Sequence, residues 1–217
     1  MSGFLDFDVQ RMLFTVPGIL IGFAFHEFAH AYVADKLGDN TPRYQGRLTL
    51  SPLAHIDIIG FLMIVLVGFG WAKPVQINTR NFKNIRRDDM LVSLAGPAIN
   101  LIIAVIFSIL VRIYIISGIG ANFDATLNAI IIALLDYTAW INIILFVFNL
   151  LPIPPLDGFH ILSDIMPFRN YRLLNTLERY GSLVLILLII TRVTDYIIGI
   201  PAIYISNGIS SLLSIFF

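Results

Sequence analysis

Chemistry enters this sequence at His26-Glu27-Phe28-Ala29-His30. Residues four apart share one face of a helix, so both imidazoles can reach a single metal ion. Glu27 lies beside them, placed to act on a water held there. The chain has only two glutamates, Glu27 and Glu178, and one of them falls in this motif. A polar helix end snorkelling to an interface is the plainer alternative. Position weighs against it, because a carboxylate and two imidazoles near the end of an apolar helix are expensive and usually functional.

A catalytic zinc needs three protein ligands and one open position. The third ligand must come from elsewhere, and Asp157 is the best placed, next to Gly158 and just after Pro152, Pro154 and Pro155. Those residues break a helix and can turn a carboxylate inward. The alternative is an ordinary turn or helix-capping aspartate. His160, three residues on, is another possible ligand. Glu178 is a weaker one, in a basic stretch without metal-motif context. His55 could contact the site or its substrate, or be a plain loop histidine, and both readings stay open. Trp71 and Tyr44 read as interfacial anchors.

The elements that must carry these residues are membrane spans. Hydrophobic residues make up 58% of the 217 and charged residues 13%, against about 25% charged in a soluble domain. Met12–Ala34, Met90–Ile116, Ala125–Leu151 and the stretch from Gly181 onward are long enough to cross a bilayer. The tail is expected to split into two passages, Gly181–Ile198 and Pro201–Phe217, with Arg192 and Asp195 close enough to pair. Net charge is zero, which gives no pull toward nucleic acid, and the absence of cysteine removes disulfide and thiolate chemistry. The head, with Asp6 and Asp8, lacks the basic flank of a secretory leader. Lys and Arg concentrate in Lys36–Arg87 and in Arg169–Arg179, which places both stretches in the cytoplasm and the N-terminus outside. The fold class expected is an all-α polytopic membrane protein of four to six transmembrane helices, one domain over residues 1–217. Its cytoplasmic side should hold a small β or re-entrant element. The insert Ile58–Gly70 is too short to span, and Gln45–Leu50 and Val75–Thr79 alternate as short strands do.

The order of these motifs resembles the site-2 protease family of intramembrane zinc metalloproteases. His26-Glu27 with His30 on the first span, Gly96-Pro97 with Asn100 on a middle one, and Asn149, Pro152, Asp157 and Gly158 on a later one carry the likeness, which runs from about Gly22 to Leu162. The stretches Gly46–Asp57 and Gly70–Pro74 are similar to the compact bacterial and archaeal branch without an inserted PDZ domain. Phe159-His160 departs from the glycine and arginine common there. The resemblance implies zinc on His26, His30 and Asp157, Glu27 as catalytic base, membrane-anchored protein substrates, and a bacterial or archaeal plasma membrane. Asn100 is expected to assist as a donor to the oxyanion or the substrate backbone. The two strand-like segments are expected to form a small sheet whose free edge takes up unwound substrate. A metal transporter or an inactive metal-binding scaffold is the alternative outside enzymes. Transporters usually show repeated halves, and no repeat is evident here.

Overall fold

In hydrocarbon every backbone amide must find its partner within the chain, and a continuous helix achieves this locally. The computed structural model describes residues 9–67, 70–166 and 171–216 and is almost entirely helical. Its helices are α1 (Val9–Lys36), α2 (Thr41–Tyr44), α3 (Pro52–His55), α4 (Ile58–Val67), α5 (Ile85–Ile116), α6 (Ala125–Asn149), α7 (Asp157–Ile165), α8 (Tyr171–Ile190) and α9 (Val193–Leu213). Five of them, α1, α5, α6, α8 and α9, are long and apolar enough to cross a membrane. The acidic head with Asp6 and Asp8, and residues 68–69 of the insert, lie outside the described residues.

Helices α1, α5 and α6 pack against one another and α7 lies on α5. Gly18 and Gly22, one turn apart, let α1 approach α6 closely. A methyl group at Gly22 would stand 2.6 Å from Leu145, and one at Gly18 would stand 2.7 Å from Ile141. Small residues at such contacts are how helices associate where burial from water gives no driving force. Ile19, Ile141, Ile144 and Val147 form the core, extended by Ile198 and Ala202 of α9. Leu183, Leu187, Ile190, Tyr196 and Tyr204 stay exposed, which suits faces turned to lipid.

Between α1 and α5 the chain is gathered by one carboxylate. Asp39 is fully buried. It accepts from the Thr41 N–H and hydroxyl, the Asn78 N–H and the Asn81 amide. The expected two-stranded sheet is not there. Among the described residues the β pairing is a single isolated bridge, Ile56 to Ala72. Gly46 turns the first candidate strand at φ +68. The second ends in a 3-10 helix at Thr79–Asn81, and its donors go to side chains: Val75 N–H to Glu27 and Asn78 N–H to Asp39. The insert folds as α4, whose ten residues span about 15 Å, half a hydrocarbon core.

The tail also differs from expectation. It breaks at Thr191–Arg192, where Arg192 is left-handed at φ 58, and Pro201 lies inside α9. Proline is tolerated in helices of this kind because neighbouring groups can satisfy the freed carbonyl. Arg192 and Asp195 form no ion pair; the Asp195 N–H bonds to the Arg192 carbonyl as α9 begins.

Asp39→Ala is expected to leave several donors without an acceptor and to destabilise the protein by about 2–4 kcal/mol. Thermal unfolding in detergent measures it, and an unchanged midpoint would contradict the account of this loop.

Candidate metal centre

His26 and His30 lie one turn apart on α1, both buried. Their Nε2 atoms are 3.0 Å from each other. Asp157, the first residue of α7, faces both: Oδ2 is 3.2 Å from His26 Nε2 and Oδ1 is 3.4 Å from His30 Nε2. The three side chains each offer a ligand atom within 4.8 Å of the others.

What lies behind the imidazoles decides their tautomers. His30 Nδ1 donates to the Val92 carbonyl at 2.7 Å. His26 Nδ1 is 2.7 Å from Asn100 Oδ1. The Asn100 amide nitrogen donates to the Gly22 carbonyl and to Asn142 Oδ1, which fixes its oxygen toward His26 and makes His26 Nδ1 the donor. Asn142 is anchored in turn by donating to the Gly18 and Thr138 carbonyls. Both Nε2 atoms therefore present lone pairs, as metal-binding histidines do when the other nitrogen is held. Two lone pairs and a carboxylate converging on one buried point repel unless a cation joins them. Asp157 Oδ2 is itself buried with no hydrogen-bond partner. The donor set of two imidazoles and a carboxylate fits zinc.

Local sequence explains each placement. After α6 ends at Asn149, residues 150–156 with their three prolines reverse the chain, and Gly158 passes so close to the Leu150 carbonyl that a side chain would collide with it. At Gly96 an added methyl would overlap the ring nitrogens of both His26 and His30, so the missing side chain is the space the imidazoles occupy. Glu27, also buried, accepts the Val75 N–H on Oε2 at 2.8 Å. Its other oxygen carries no such bond among the described residues.

The remaining sequence candidates fall elsewhere. Asn100 is fully buried; its amide nitrogen donates to the Gly22 carbonyl and to Asn142 Oδ1, and its oxygen faces His26 Nδ1. His55 is fully buried, with Nε2 2.8 Å from the Thr49 carbonyl, outside the metal group. His160 and Glu178 are exposed and also outside it. Asn142 was missed. Its signal was an amide in the middle of an otherwise apolar span, the kind of intramembrane polar residue that marks a site by default.

Five membrane-length helices built around a histidine–histidine–carboxylate group with a glutamate beside it define a zinc metalloprotease of multi-pass type. Comparison with known proteins narrows the class. The profile of peptidase family M50 matches residues 110–191. The chain is 40% identical to the candidate zinc metalloprotease YwhC of Bacillus subtilis, over 91% of this chain and 90% of that protein. It is 31% identical to the candidate zinc metalloprotease Rip2 of Mycobacterium tuberculosis H37Rv, over 80% of this chain and 65% of the relative. To MJ0611 of Methanocaldococcus jannaschii, also named as a candidate zinc metalloprotease, it is 26% identical over 73% of each. The chain belongs to peptidase family M50, the site-2 proteases. No solved structure matches it.

Asn142→Leu removes the acceptor that fixes Asn100, and through it His26. Zinc affinity is expected to fall about 10–100-fold, the range for outer-shell partners, in a protein that still folds. Metal competition titration reads this, and wild-type affinity would show that the amide chain does not orient the ligand.

Proposed function

We propose that this protein hydrolyses peptide bonds of membrane-anchored proteins within or at the edge of the bilayer. His26, His30 and Asp157 hold the zinc and Glu27 is the general base. The observation that carries this reading is Glu27 itself: buried next to the metal group, with one oxygen held by Val75 N–H and the other without a bond among the described residues.

Zinc held by His26, His30 and Asp157 would supply Lewis acidity toward a water molecule and the scissile carbonyl. Glu27 Oε1 accepts the proton as that water attacks and passes it to the leaving amine. Val75 N–H holds Oε2, so the carboxylate cannot rotate away from its task. His26 and His30 keep their Nε2 lone pairs directed inward because Asn100 and Val92 occupy the Nδ1 side. A helical substrate must unwind locally before it can be cut, since its carbonyls are already bonded. The five long apolar helices support a membrane location, and the basic stretch between α1 and α5 supports a cytoplasmic side for the site in a bacterial or archaeal plasma membrane.

Fluorescently labelled single-span peptides with helix-destabilising residues, presented in detergent, test the proposal. Glu27→Gln is expected to lower turnover by about 10²–10⁴-fold while retaining one zinc per chain, because the amide keeps the shape but cannot take the proton. Turnover within about tenfold of wild type would place the base elsewhere. Cleavage products map the cut: a scissile bond inside the apolar segment supports intramembrane action, and cuts confined to the soluble flanks refute it.

A further inference from the structure

One buried charge beside this machinery that the mechanism has not used is Arg47. It is 7% exposed and forms no ion pair among the described residues. A guanidinium removed from water must find other acceptors or it destabilises the fold. Arg47 finds three, all backbone carbonyls: Nη1 donates to Ala54 and to Lys73, and Nη2 to Pro74 at 3.3 Å. Ala54 lies before α4 and the other two lie after it, so one side chain ties together both flanks of the insert. Lys73 N–H to the His55 carbonyl, at 2.8 Å, and the Ile56–Ala72 bridge close the same seam.

The third acceptor gives this clamp a catalytic consequence. The Pro74 carbonyl and the Val75 N–H are the two ends of a single peptide group. That group is planar and rigid, and in its ordinary trans form the C=O and N–H point in opposite directions. Arg47 bonds the oxygen end while the hydrogen end bonds Glu27 Oε2. A positive charge at the carbonyl and a negative charge at the N–H also align with the dipole of the group. Each bond polarises the peptide in the sense that strengthens the other.

We infer that Arg47 is a positioning residue for the base: through the Pro74–Val75 peptide it sets where the Glu27 carboxylate points. This rests on the reading of Glu27 as base given above. Arg47 does not touch the metal group or the reacting atoms. Its planar fork of donors suits three carbonyls at once, which a lysine ammonium cannot reproduce from a single nitrogen.

The test uses the full chain in detergent with the same labelled peptides, and compares Arg47→Ala, Arg47→Lys and Glu27→Gln with wild type. Arg47→Ala is expected to lower kcat about 10–100-fold, with KM little changed and one zinc per chain retained. Millimolar guanidinium chloride should restore part of that kcat by refilling the site, and should do nothing for Glu27→Gln. Arg47→Lys should retain its fold and fall between Ala and wild type in kcat, so it decides the matter if the Ala variant does not fold. Full kcat in the Lys variant, or a lowered melting temperature with unchanged kcat in the Ala variant, would overturn the inference. So would a loss of kcat in Arg47→Ala that guanidinium leaves untouched. Failure of the underlying reading looks different, because Glu27→Gln would then remain active whatever Arg47 does.

Discussion

Two imidazole nitrogens 3.0 Å apart, each with its proton held on the far side of the ring, and a carboxylate facing both, form an arrangement that only a cation relieves. The surrounding structure serves to keep those lone pairs aimed. The Asn142–Asn100 amides run through the interior of the bundle and end on His26. Their other ends rest on the carbonyls of Gly18 and Gly22. The glycines that let α1 approach α6 therefore also bring their carbonyls within reach of the amides. In an apolar interior an amide hydrogen without a partner costs several kcal/mol, so the chain is satisfied as a whole or not at all. Gly96 provides the space for the rings from the α5 side, and the proline-rich turn after α6 returns Asp157 to them.

The proposed base is supported from a different part of the molecule. The candidate metal group lies on α1 and the start of α7 and is backed by α5 and α6, whereas Glu27 is held by the connection between α1 and α5. That connection carries only the short helices α2, α3 and α4 and a 3-10 turn, and side chains bonding to backbone help to order the chain between them. Asp39 gathers one end and Arg47 the other, and Val75 between them presents its N–H to Glu27. The candidate metal group and the proposed base consequently rest on separable sets of contacts within one site.

How much of this could be read in the sequence follows from how local each feature is. The spacing of His26 and His30 needs nothing beyond helix geometry, and the prolines before Asp157 announce a reversal. Both gave residues that the structure brings together. The spans were legible from apolar length, because no soluble fold could bury such runs. Asn100 was noticed but its partners were not, because Gly22 and Asn142 lie 78 and 42 residues away and no local pattern names them. Alternation at Val75–Thr79 suggested a strand, but the chain there has no strand and turns into a short 3-10 helix at Thr79–Asn81. What it could not signal was that carboxylates, Glu27 and Asp39, would take the donors a second strand was expected to take. In the tail, Pro201 looked like a helix boundary because it would be one in water. The true break, at Arg192, has a left-handed arginine and no glycine to advertise it.

X-ray absorption at the zinc edge of the purified protein tests the central claim most directly. The account requires one zinc per chain with two imidazole nitrogens at about 2.0–2.1 Å and a carboxylate oxygen at about 2.0–2.2 Å. In Asp157→Ala the imidazole signature should remain while the carboxylate contribution disappears. A spectrum without two imidazoles, or one that Asp157→Ala leaves unchanged, would contradict it.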